Sequence, residues 1–524
     1  MFCFLFYQTC SSDYLLYLNS TNRTITGCSE DLNGEVLIPK DVIDIYSQNG
    51  NNYAFKNCKS SIKSLRFEEN SEINYISSYS FYQTNLETAN LSECKNLLYL
   101  NRFVFQYCLL LRSIELPPNL LSIGTWCFLK NVCLTSVNLP DSVISLESSV
   151  FHLSNLTTLY ISPNSKLQYI GETCFLETKL SSFFIPKNLT SISPKAFSNT
   201  PFENITIDPE NENYRINAKC IFTGKDNSTL FRVLITYSDS DFIVPQYVTK
   251  ISDYCFYHIN ISSIQLHDDI TYIGYASFSY CTSLKDIIIP QKVTFIDIAA
   301  FQNCQSFTSF TFPARIHSIN RALFQSCTNL KSITFLGNVT SIGAQAFLNC
   351  LSLTDFLVQE SVKSIEAYAF KDCFSLREII IPSQLTIIGD GAFSNCTNLK
   401  CIKFLNNSNI ITMKSSIFLF NENPIDFFIP GNFNITISFW KQVPKGSNLF
   451  ITRDTILSKS CKDYCGEKFV YVHFDDEPII SDATTKEVIQ YISIKPLFHK
   501  TKLKCIYRKT NTIYFSPALA CIKK

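Results

Sequence analysis

The sequence predicts a repeat protein, with about fifteen short units stacked into a right-handed solenoid that has a parallel sheet on one face and short turns or 3-10 segments opposite. Three observations predict it. One aromatic recurs at a near-constant interval, a small residue follows it at a fixed offset, and apolar residues in strand-like alternation move with both.

The aromatic column runs Phe278, Phe301, Phe324, Phe347, Phe370 and Phe393, each 23 residues after the last, with Cys281, Cys304, Cys327, Cys350, Cys373 and Cys396 three positions later. Upstream it continues through Phe256, Phe197, Phe175, Phe151, Phe128, Phe105, Phe81 and Phe55, and downstream to Phe418. Apolar residues precede each Phe by eight and five positions, as Val339 and Ile342 precede Phe347. Another set follows at about six, nine and eleven, as in Leu376, Ile379 and Ile381-Pro382. The unit reads LxxIxIPxxVTxIGxxAFxxCxx. Its I-x-I alternation is a strand signal, and its AF segment is too short for more than a turn of helix. A single unit cannot bury its apolar positions alone, so stacking must do so.

These columns resemble the BspA-like leucine-rich-repeat family, found among surface proteins of oral bacteria and anaerobic protists, whose repeat has this 23-residue length and the same IP, VTxIG and AFxxC elements. The resemblance covers roughly Val42 to Pro430. It implies a leucine-rich-repeat solenoid and a cell-surface or secreted adhesin that binds host-cell or matrix proteins.

Residues 42–430 are therefore expected to form the solenoid, with 1–41 and 431–524 as an N-terminal and a C-terminal cap, the second large enough to be a small domain. The long interval between Phe197 and Phe256 holds two strand-like runs around Gly224-Lys225-Asp226-Asn227, which predicts a hairpin insert near 208–247. The start, MFCFLFYQTCSS, is apolar but short and without a basic flank, and reads as a weak or truncated export signal. No stretch has the length of a membrane-spanning helix.

Composition narrows the function. Hydrophobic residues are 46% and charged residues only 17%, so a continuous core is affordable throughout the chain. Forty-five Lys and Arg balance forty-four Asp and Glu with no block of one sign, which argues against nucleic acid and polybasic membrane contact. HExxH, GxSxG, P-loop and GxGxxG patterns are absent, and the six histidines stand at no metal-ligand spacing. No enzyme, cofactor or metal is expected.

The Cys column could form disulfides between neighbouring units. However, Thr84, Asn131, Ser154 and Thr200 occupy equivalent positions, which favours a small side chain that packs or hydrogen-bonds to backbone. Cys461, Cys465, Cys505 and Cys521 fall outside the repeats. Two disulfides closing the C-terminal cap, reduced thiols and a zinc site are all open readings there. Twelve N-x-S/T sequons permit a glycosylated, exported chain.

The expected function is protein binding through the solenoid face, as a surface or secreted adhesin. An intracellular scaffold of the same fold, cytoplasmic and rich in free thiols, is the alternative. Between the two inward Ile-type positions of each LxxIxIP strand stands one outward residue. Along the chain that column reads Arg66, Asn90, Glu115, Asn138, Tyr160, Phe184, Thr206, Gln265, Ile288, Thr311, Thr334, Leu357, Ile380 and Lys403. Tyr160, Phe184, Ile288, Leu357, Ile380 and Lys403 are the candidate ligand contacts, because large apolar residues and exposed cations are common anchors of protein interfaces.

Overall fold

The computed structural model describes residues 23–452 apart from 225, 235–240, 355, 406–411 and 430–441, together with the strands Leu16–Leu18, Tyr471–Phe474, Arg508–Lys509 and Thr512–Ile513. Two units are resolved by their internal contacts, Met1–Ile316 and His317–Lys524. Each is a β-solenoid of stacked coils joined by parallel pairing, and no helix occurs among the described residues.

Both apolar segments of the repeat make ladders. The VTxI segment contributes strands only two residues long, because each is followed at once by the turns around the Phe. In the first unit Tyr99–Leu100, Ser122–Ile123, Ser145–Leu146, Tyr169–Ile170 and Ser191–Ile192 pair parallel in register. In the second unit Ser318–Ile319, Ser341–Ile342, Ser364–Ile365, Ile387–Ile388 and Thr412–Met413 do the same. The LxxIxIP segment makes the other ladder. It includes Gly34–Ile38 through Ser113–Glu115 in the first unit and Glu378–Ile381, Cys401–Phe404, Asp426–Ile429 and Asn448–Thr452 in the second. Among the described residues the apolar positions of both ladders are buried at nearly every strand, and the residues between them are not.

The Phe column is the spine of the core. Phe55, Phe81, Phe105, Phe128, Phe151, Phe175 and Phe197 are buried and stack ring on ring at centroid distances of 4.6 to 5.8 Å. Phe324, Phe347, Phe370, Phe393 and Phe418 repeat the stack in the second unit. Each Phe sits in a run of turns rather than a helix. From Phe81 onward the residues two before and two after it take positive φ, Lys195 before Phe197 excepted, for example Trp126 at 59° and Lys130 at 61° around Phe128. A non-glycine residue in this region costs about 1–2 kcal/mol, and the compensation is a second hydrogen-bond ladder. Trp126 N, Phe128 N and Lys130 N donate to Ser148 O, Val150 O and His152 O of the next coil. The turn backbone therefore has its donors satisfied between coils without helix or strand geometry.

The Cys column behaves as the substitution pattern predicts. The thiols of Cys281, Cys350, Cys373 and Cys396 donate to the carbonyls of Phe256, Phe324, Phe347 and Phe370 one coil back, at 3.0 to 3.2 Å. At Thr84, Ser154 and Thr178 a hydroxyl donates instead to the carbonyl of its own coil's Phe. Burial pushes these thiols up, Cys108 and Cys396 to about 12, so they stay protonated. Cys58 differs. No Phe stands one coil before Phe55, and Cys58 is disulfide-bonded to Cys28. The predicted disulfide cysteines Cys461, Cys465, Cys505 and Cys521 lie outside the described residues, as does the apolar start of the chain.

The insert is a three-stranded meander. Tyr214–Asn217, Cys220–Thr223 and Thr229–Val233 run antiparallel in succession, the last two flanking Gly224, whose φ is +95°. The third strand then enters the short ladder, with Leu230 opposite Ile251. Val233 N donates to Cys255 O as a column Phe would, so Val233 stands in a coil that the Phe spacing does not reveal. Next to it Arg232 is buried, and its guanidinium donates to Phe197 O and Tyr254 O. Desolvation lowers its pKa to about 10, which still leaves it charged at neutral pH.

Parallel pairing also runs past both expected boundaries of the solenoid. It starts with Thr24 and Ile25 against Asp44 and Ile45, and continues from Asp426–Ile429 through Asn448–Thr452 to Tyr471–Phe474. These outer coils keep the strand but lack the Phe, so a boundary drawn on Phe spacing falls short of them.

Candidate ligand-binding face

The outward column of the LxxIxIP segment is exposed or half-buried at all fourteen positions, while its flanking neighbours face the core at nearly every one. Ile288 shows the contrast most sharply: it is 85% exposed between the buried Ile287 and Ile289. One such side chain is ordinary on a protein surface, and it is their recurrence along one column that marks a face.

Of the six predicted contact residues, Tyr160, Phe184 and Ile288 lie in the first unit, and Leu357, Ile380 and Lys403 in the second. Tyr160 is 59% exposed and stands opposite Asn138 in the ladder. Phe184 stands opposite Thr206 but is half-buried and packs on the core, which leaves less of its ring to a ligand than the sequence suggests. Leu357 is 66% exposed. Ile380 and Lys403 are direct ladder partners, and both are half-buried. The Lys403 ammonium pairs with Glu378 at 2.6 Å, so the cation is partly neutralised on the face itself.

The structure adds residues that the repeat reading does not reach. Ile243 is 68% exposed and stands opposite Gln265, two coils before Ile288. Phe428 continues the column beyond Lys403, and Phe450 follows it, the two rings stacked 4.5 Å apart. Ile243 follows the insert, where the Phe spacing is lost, and Phe428 and Phe450 follow the last Phe of the column. The I-x-I alternation in DFIVP and DFFIP was the signal that could have found two of them.

A shallow trough of about 550 Å³ opens on this face in the first unit, lined among others by Ser92, Glu115, Asn138, Asp141 and Tyr160. Elsewhere carboxylates pair with cations of neighbouring coils: Glu35 with Arg66, Glu87 with Lys63, and Asp269 with Lys292. Hydrogen bonding to Lys292 and its charge hold the Asp269 carboxyl below its usual range. Glu115 and Asp141 have no such partner among the described residues. No group of three or more His, Cys, Asp or Glu that could hold a metal occurs among the described residues, nor does any helix long and apolar enough to cross a membrane.

Two parallel ladders, a stacked Phe spine and an exposed strand column define a leucine-rich β-solenoid. The chain belongs to the family described as BspA type leucine rich repeat region, which matches it in six copies over residues 35–133, 98–227, 249–374 and 341–457. Among solved structures it is similar to a leucine rich cell surface protein of Faecalibacterium prausnitzii, at 23% identity, covering 77% of this chain and 96% of that one with a TM-score of 0.49. It is also similar to a leucine-rich repeat protein of Bacteroides ovatus, at 21% identity, covering 78% and 100% with a TM-score of 0.42. The pneumococcal vaccine antigen PcpA matches at 16% identity over 90% of this chain and 98% of that one, with a TM-score of 0.39. No curated protein matches the chain.

Proposed function

We propose that this chain is a cell-surface or secreted binding protein, an adhesin whose ligands are proteins of a host cell or its matrix, and that it engages them through the outward column. The observation that carries this reading is the column itself. A fold that fills its core mostly with Phe, Ile, Leu, Val, Ala and Cys leaves Tyr160, Ile243, Ile288 and Leu357 largely in solvent on one type of strand. Large exposed apolar residues in register are what an interface core requires.

The Cys28–Cys58 disulfide favours an oxidising compartment over the intracellular scaffold. The buried thiols of the Cys column do not favour the scaffold, because Cys108, Cys281, Cys304, Cys350, Cys373 and Cys396 are taken up in packing and backbone hydrogen bonds. The reading makes no use of catalysis, a cofactor or nucleic acid. Labelling intact cells with a membrane-impermeant biotin reagent separates the two locations. The surface reading expects labelled chain on unbroken cells, and labelling only after lysis would place the chain inside.

A further inference from the structure

We propose that the trough beside Tyr160 receives a basic side chain, an arginine or lysine, of the protein partner. The proposal rests on the binding-face reading above and narrows it to one place and one chemistry.

The trough lies on the outward face and is open enough for a long side chain to enter from solvent. Its lining includes two carboxylates, Glu115 and Asp141, and no cationic residue. Both carboxylates are exposed, and neither makes an ion pair among the described residues. Asp141 Oδ1 accepts a hydrogen bond from the Ser162 hydroxyl at 2.5 Å, which leaves its second oxygen for a ligand. The exposed Tyr160 ring forms an aromatic wall.

A guanidinium or ammonium between two carboxylates makes charge-assisted hydrogen bonds, and an aromatic face adds cation–π attraction. An anionic or purely apolar group would find two unneutralised carboxylates here. Charge complementarity therefore selects a basic segment of the partner.

The test titrates the full chain with an arginine-rich peptide and with its citrulline counterpart, which keeps the shape and removes the charge. The arginine peptide is expected to bind more than tenfold tighter, and its affinity should weaken as salt rises. Glu115→Gln and Asp141→Asn should each weaken it about tenfold, a single charge-assisted bond being worth about one decade. Glu210→Gln, which removes a carboxylate outside the trough lining and paired with Lys187, should leave it unchanged. Thermal unfolding of every variant should match the parent, since the substituted carboxylates are exposed.

Equal affinity for the two peptides, or parental affinity in the Glu115→Gln/Asp141→Asn double variant, would overturn the proposal. If that double variant adhered to host cells normally while Tyr160→Ala with Phe184→Ala did not, the basic-ligand proposal would fall and the binding-face reading would stand.

Discussion

Phe347→Ala tests the packing on which the coils depend. The Phe347 ring is fully buried, with stacked neighbours at 5.6 Å (Phe324) and 5.3 Å (Phe370) and an edge contact to Phe356 at 5.0 Å. Truncation loses the transfer energy of the ring and leaves a cavity, which together cost about 3–5 kcal/mol for a buried Phe. Three ring contacts, each worth about 0.5–1.5 kcal/mol beyond area, and neighbours fixed by backbone ladders on both sides place the expected cost at the upper end, about 4–5 kcal/mol. Equilibrium urea unfolding followed by circular dichroism would measure it, with Phe347→Leu as a milder partner expected to lose about half as much. A Phe347→Ala midpoint within error of the parent would refute the reasoning, because the column would then not be core.

Cys350→Ser is expected to cost less than about 1.5 kcal/mol, since a hydroxyl can donate to Phe324 O as the thiol does at 3.2 Å; urea unfolding beside Phe347→Ala checks it. Stability should also fall above about pH 9. Burial raises the folded-state pKa of thiols such as Cys108, Cys220 and Cys401 to about 12, so the unfolded chain releases these protons first, each adding up to about 1.4 kcal/mol per pH unit of loss. Midpoints that stay flat from pH 8 to 10 would contradict the buried, protonated column. Gly389→Ala should destabilise by about 1–3 kcal/mol, because an added Cβ would stand 2.4 Å from Ala367 N and 2.5 Å from Glu366 C of the preceding coil; calorimetry of the variant checks it.

Much of this fold can be read from the chain because each coil repeats the same solution. Phe347 and Cys350 need no structure to be assigned inward, and Ile287, Ile288 and Ile289 show alternation in three letters. The turns around the Phe carry no such signature. Their positive-φ positions hold Trp126, Lys130, Gln345 and Asn349, with a glycine only at Gly391, because the inter-coil hydrogen bonds fix the backbone whatever the side chain. Cys58 occupies a column position and gives no sign that its partner is Cys28. Val233 is hidden by a meander that interrupts the spacing. In the candidate site the column is legible, but its concavity is not: Asp141 meets Glu115 and Tyr160 only when three successive coils are stacked.

The binding face is tested most directly by two paired substitutions on the full chain, Tyr160→Ala with Phe184→Ala and Leu357→Ser with Ile380→Ser. Adhesion to host cells or matrix proteins would be measured beside thermal stability. Loss of adhesion in at least one pair, with the chain still folded at the assay temperature, is the expected result, the half-buried Phe184 and Ile380 lowering the unfolding midpoint by only a few degrees. Parental adhesion in both pairs would contradict the assignment and move the ligand to another surface, with the meander around Gly224 the next to examine.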